Sequence, residues 1–277
     1  MFALSNPFDT LTQLIAAALA TAHSLVTGLG LPADGSLGWM LAVIALVAAV
    51  RVALLPVVAH GVRLAHAGAR ARPHLRELQQ RYAGRTDPDS LRELLAARRA
   101  VNAEHGVSRL GCLPVLLQLP ILFALYGVLN AVAHRQPVGA MDAALVASAG
   151  SATVLGVSLA DRWGDAVGHS AGHALVVVAL ASLAAALSYL TQRYAVLPNQ
   201  VLDGLPDAFA QAQRAMPALS AVGILVGAVA VPVGLLVYWV ANNAFTLVQQ
   251  GVVTRYAPTP GSAAYAARAA RLARRRG

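Results

Sequence analysis

Arg51 is the residue with the most chemistry to explain, because it stands inside an apolar run. Residues 37–59 read LGWMLAVIALVAAVRVALLPVVA. At about 1.5 Å per residue such a run crosses the roughly 30 Å hydrocarbon core of a bilayer. Two readings of the guanidinium stay open. If the span ends near Val50, Arg51 is a flanking charge reaching the headgroups. If the span continues, Arg51 is buried. A buried arginine needs water or a polar partner, since an unpaired charge in hydrocarbon costs several kcal/mol.

Polar partners are available on another apolar stretch, LLVYWVANNAFTLVQQ at 235–250. At about 100° per residue, Trp239, Asn243, Thr246 and Gln250 fall on one side, with Tyr238, Asn242 and Gln249 flanking them. Val240, Ala241, Ala244, Leu247 and Val248 take the opposite side. Gln118 adds a further amide between Pro114 and Pro120. These groups either glue helices together by hydrogen bonds or line a wet cavity. No Asp or Glu occurs in the five apolar stretches, and HExxH, GxSxG and Walker A patterns are missing. The chain has no lysine, and Cys112 is its only cysteine. Catalysis by side chains, a metal site and a cofactor are therefore not expected; a binding cavity is.

The elements that position these residues follow from composition. The chain is 57% hydrophobic and 12% charged over 277 residues, against about 25% charged in soluble domains. Apolar stretches at 37–59, 111–133, 173–192, 216–231 and 235–252 are read as five transmembrane helices. The segment 143–160 is also apolar, but a sixth crossing there would put the arginine-rich tail outside. Ten arginines in 61–110 and six in 253–277 are expected inside, giving five spans with the N-terminus out and the C-terminus in. Residues 1–36 carry no Lys or Arg, so the n-region of a secretory signal is not expected there. They are read as an outer interfacial amphipathic helix and a turn. Residues 62–105 are predicted to form a helical hairpin, with Gly84 ending the first helix and Asp87 capping the second ahead of Pro88. Its arginines set topology and could also meet anionic headgroups or RNA phosphate. In the tail, Arg268, Arg271, Arg274, Arg275 and Arg276 recur on an Ala-rich segment. They are expected to contact ribosomal RNA or anionic lipid, with topology alone as the alternative.

The pieces RVALLP (51–56), RPHLRELQQRYAG (72–84), GCLPVLLQLPILFALYGVL (111–129) and GLLVYWVANNAFTLVQQ (234–250) resemble the YidC-type membrane protein insertases. The order and spacing of the pieces match as well, over about residues 8–252. The resemblance implies an all-α integral membrane protein of the bacterial plasma membrane. Five spans would surround a hydrophilic groove open to the cytoplasm, within a core of 37–252 followed by a basic tail, 253–277. By position, Arg51 matches the groove arginine and Gln118 a groove-lining glutamine, while Tyr238 and Trp239 match aromatics that face the incoming helix. With Asn242, Asn243 and Thr246 they make up the expected substrate groove. The hairpin 62–105 matches the mobile cytoplasmic hairpin that receives substrate. The implied partners are substrate membrane proteins, with the ribosome, the Sec channel and anionic lipids as candidates and no role for DNA. A large extracytoplasmic domain and a lipobox cysteine are both missing from the pattern. The competing expectation is a small anion or solute transporter, or a channel, with Arg51 as its binding site. A purely structural assembly partner is a third.

Overall fold

The computed structural model describes residues 7–107, 113–202 and 207–275. The chain is helical: α1 (Pro7–Gly28), α2 (Ser36–Ala53), α3 (Leu55–Arg81), α4 (Pro88–Glu104), α5 (Leu113–Ala133), α6 (Ala143–Ser151), α7 (Trp163–His169), α8 (Ala171–Leu190), α9 (Asp207–Gly227), α10 (Val233–Tyr256) and α11 (Ala263–Arg274). A two-stranded antiparallel hairpin, β1 (Thr153–Val154) and β2 (Val157–Ser158), sits between α6 and α7. The chain divides into two compact units.

The first unit comprises Met1–Ala53, Val115–Thr191 and Pro217–Val248. Its core joins Leu19 of α1, Trp39 and Val43 of α2, Leu125 and Val128 of α5, Val177 of α8 and Leu236 of α10. Helices meeting in lipid gain little from the hydrophobic effect, so close contact must supply the attraction. Small residues permit it. Ala16 and Ala42 are fully buried where α1 packs on α2, and a Cβ on Gly139 would come within 3.1 Å of Gln13 Cα. Gly139 also has φ +55°, which favours glycine on conformational grounds. The apolar stretch 143–160 does not cross anything: α6 has 9 residues, about 14 Å of helix. Its Val146, Val154, Val157 and Leu159 are buried in the core instead. At the same end, His23 stacks on Trp39 at 3.9 Å, and Trp39 Nε1 donates to Ser148 Oγ at 3.0 Å.

Among the described residues, three helices are long and apolar enough to cross a membrane: Asp9–Gly28, Ser36–Ala53 and Ala171–Asn199. The first of these lies in the segment expected at the outer interface. Two of its exposed hydroxyls bond its own backbone, Thr21 Oγ1 donating to Ala17 O at 2.8 Å and Ser24 Oγ to Ala20 O at 3.0 Å. Helix α8 continues into a π-helical turn, Thr191–Val196, and a 3-10 turn, Leu197–Asn199.

The second unit comprises Leu54–Pro114, Gln192–Met216 and Gln249–Gly277. The hairpin forms as the sequence predicts, with an earlier start. Pro56 has no N–H and crowds the carbonyl four residues back, so α2 stops at Ala53 and α3 begins at Leu55. Its first helix therefore runs 55–81 rather than from residue 62. Gly84, at φ +80°, ends the turn after it, and Ser90 N donates to Asp87 Oδ2 at 2.8 Å. The tail is folded: α11, capped by Ser262, packs on Leu197–Asn199.

The amide of Ser90, donating to the carboxylate, holds the Asp87 pKa below its ordinary value. A depressed carboxyl stabilises the fold above its unfolded pKa, and this is lost as pH falls through the folded one. Asp87→Ala should therefore speed amide exchange at 88–92, and wild type should approach the variant only in acid. Equal exchange in both proteins at neutral pH would show that the cap does not hold α4.

Candidate functional site

Arg51 lies in the last turn of α2 and is half-buried. Two side chains of α10 reach it. Asn242 Oδ1 accepts from Arg51 Nε at 3.2 Å and from Nη2 at 2.7 Å. Thr246 Oγ1 accepts from Nη2 at 2.6 Å. Asn242 and Thr246 are four residues apart and so share one face of the helix. Thr246 also donates its own proton to Asn242 O at 2.7 Å. One hydroxyl thus accepts from the guanidinium and donates to the helix backbone. Both of these partners are neutral acceptors that satisfy guanidinium donors.

Around this pair the walls are apolar. The cleft is lined by Ile15 of α1, Leu46, Val47 and Val50 of α2, Ile121 and Leu125 of α5, and Tyr238. It has room for little more than one water molecule. Few polarisable neighbours mean a low local dielectric, which strengthens each hydrogen bond and raises the cost of losing one.

The expected groove residues separate into two groups. Arg51, Tyr238, Asn242 and Thr246 come together. Trp239 points elsewhere: a Cβ on Gly227 would lie 3.1 Å from its ring, so the indole packs against the end of α9. Asn243 Nδ2 donates back to Trp239 O at 2.8 Å. The side chain of Gln118 and all of Arg276 lie outside the described residues. The residues of α10 at the cleft are therefore Tyr238, Asn242 and Thr246, two from the flank and one from the centre of the polar side drawn on a helical wheel. A wheel gives relative angles and no zero; only the neighbour supplies that. The sequence also gives no sign of the α1 wall, because Ile15 sits in a segment expected at the interface. In the tail, Arg271, Arg274 and Arg275 are exposed and Arg268 is half-buried.

Asn242→Leu should destabilise the protein by about 1.5–3 kcal/mol, the usual worth of hydrogen bonds to a charged group. Because Arg51 and Asn242 act as a pair, Arg51→Met with Asn242→Leu should cost less than the sum of the single changes. Reversible unfolding in mixed micelles measures this cycle, and strict additivity would show that the two side chains do not couple.

A family model described as 60Kd inner membrane protein matches residues 33–260. A membrane protein insertase YidC of Streptomyces avermitilis is 32% identical over 280 residues, covering 98% of this chain and 64% of the relative. One from Tropheryma whipplei (strain Twist) is 28% identical over 279 residues, covering 97% of this chain and 90% of the relative. One from Helicobacter pylori is 28% identical over 223 residues, covering 80% of this chain and 33% of the relative. The chain thus spans less than two thirds of the Streptomyces and Helicobacter proteins. The matched region contains the Arg51 pair, the hairpin and the whole of α10, and with its apolar helices the chain is a bacterial membrane protein of the 60Kd inner membrane protein family, the YidC-type insertases.

Proposed function

We propose that the chain is a membrane protein insertase, moving client transmembrane helices from the cytoplasm into the bilayer without nucleotide hydrolysis. The observation that carries the reading is Arg51, held by Asn242 and Thr246 in a cleft with apolar walls. The names of the relatives, all membrane protein insertases, support it, and none favours the solute-transporter alternative.

In this reading 37–252 is the core, with five spans running from an outer N-terminus to an inner C-terminus. Residues 1–36 lie at the outer face, 62–105 form the receiving hairpin and 253–277 the basic tail. A client enters this cleft from the cytoplasmic side, and the cleft must open to admit it. Energetics then favour transfer. Placing one charged client residue at mid-bilayer costs about 2.5–3.5 kcal/mol. A carboxylate about 4 Å from Arg51 recovers energy of the same order at the effective dielectric of partly buried pairs. Each Leu, Ile, Phe or Val of the client contributes about 0.3–0.6 kcal/mol on entering lipid. Burial of the client helix is thus the drive, and Arg51 lowers the barrier for its polar end.

Arg51→Ala should impair insertion of clients with acidic translocated ends by about tenfold while sparing neutral ones, and Arg51→Lys should retain much of the activity. The measurement is insertion into liposomes holding this protein alone; equal losses for both client classes would sink the groove mechanism.

The tail arginines Arg268, Arg271, Arg274, Arg275 and Arg276 contact ribosomal RNA or anionic lipid in this scheme. Ribosome co-sedimentation should then fall steeply with salt. No excess over a chain truncated before residue 263 would leave the tail with topology alone.

A further inference from the structure

The dipeptide Arg-Tyr recurs near the ends of two helices, at 193–194 in the π-helical turn after α8 and at 255–256 in the last turn of α10. Both tyrosines stand in the open, Tyr194 at 66% exposure and Tyr256 at 64%. Each guanidinium lies over the ring that follows it, Arg193 at 5.8 Å from the centroid of Tyr194 and Arg255 at 5.9 Å from that of Tyr256. These are cation–π distances. The two steps are neighbours within the second unit, because Thr254 Oγ1 donates to Ala195 O at 2.9 Å. Arg271 of α11 reaches the same place, its Nη2 donating to Arg255 O at 3.5 Å. No Asp or Glu occurs in residues 166–202 or 208–277, so the charge gathered here has one sign.

Depth and chemistry say what covers these steps. With the turns that prolong it, α8 is long and apolar enough to cross a membrane. Arg193 comes about 33 Å of helix after Ala171, just past the roughly 30 Å of hydrocarbon. Arg255 follows Val233, the first residue of α10, by the same number of residues. An exposed tyrosine ring with one wet end suits the headgroup layer at that depth. A guanidinium beside it forks onto a phosphate. Ribosomal RNA carries phosphate too, but it stays outside the layer in which these rings stand. We propose that the paired Arg-Tyr steps bind the phosphate of an anionic phospholipid at the cytoplasmic surface of the bilayer. The side of the bilayer rests on the insertase reading above. Arg193 and Arg255 grip the headgroup, Tyr194 and Tyr256 lie against its glycerol, and Arg271 moors the tail helix beside them. A zwitterionic lipid is disfavoured, because its ammonium is repelled by the same arginines.

The test uses the full chain in detergent, with phosphatidylglycerol and phosphatidylcholine titrated onto it and bound lipid counted by native mass spectrometry. An arginine near an anionic surface is worth about fivefold in affinity, so the wild type should prefer phosphatidylglycerol by at least about tenfold. Arg193 and Arg255 are exposed, so Arg193→Gln with Arg255→Gln should erase this preference at an unchanged unfolding midpoint. Arg98→Gln with Arg99→Gln, exposed on α4, removes the same charge and should keep it. If the first pair lowers the midpoint, Tyr194→Ala with Tyr256→Ala serves instead and should weaken phosphatidylglycerol binding about threefold. Ribosome co-sedimentation is followed in the same variants. No preference in the wild type, or equal loss from both arginine pairs, overturns the proposal. So does ribosome binding that falls in the Arg193/Arg255 pair while lipid binding stays, which assigns the steps to RNA. No client is present in these titrations, so their failure leaves the liposome insertion that tests the insertase reading untouched.

Discussion

A guanidinium inside an apolar helix is tolerable only where polar atoms reach it, and here that requirement fixes how α10 is rotated about its own axis. Asn242 and Thr246 must face α2 to meet Arg51. Once they do, Tyr238 is carried into the same cleft, where it is 5% exposed. The same rotation turns Val240, Ala244 and Val248 toward a separate apolar groove lined also by Met40 and Ile44 of α2. One hydrogen-bonded contact thus sorts a helix that is polar on one side and apolar on the other.

The rest of the first unit is consistent with that constraint being local. Away from Arg51 the packing depends on small residues and on carbon contacts, and the polar links among the described residues include His23 on Trp39, Trp39 to Ser148, Ser36 to Thr153, Ser188 to Ser220, and Arg162 Nη2 to Asn130 Oδ1 at 2.8 Å. A core of this kind tolerates changes of shape that preserve volume. The arginine contact does not, since its worth depends on atoms placed within a few tenths of an ångström.

Much of this was legible in the sequence, and the parts that were not share a cause. The Asp87 cap, the stop at Gly84 and the polar stretch 238–246 all follow from residue type and spacing. So does the refusal of 143–160 to cross, which charge counting implies and a 9-residue α6 explains. The α1 wall of the Arg51 cleft was obscured because nothing in the residues around Ile15 says which neighbour they pack against. Which part of the polar side of α10 meets Arg51 was not legible because rotation is set by contact with another helix. Likewise, a run of arginines after a Pro-Gly turn gives no hint that Ala264 and Ser262 seat α11 against the Leu197–Asn199 turn.

The hydroxyl of Thr246 has a further consequence. Its proton is committed to Asn242 O within the same helix, and only its lone pair is lent to Arg51. When the guanidinium turns away, Thr246 keeps its donor bond and the helix loses no backbone partner. The cost falls on Asn242 Oδ1 and on the guanidinium itself, and water can satisfy both. The contact therefore behaves as a reversible clasp: it opens without breaking the helix that carries it, and it closes again with nothing to refold.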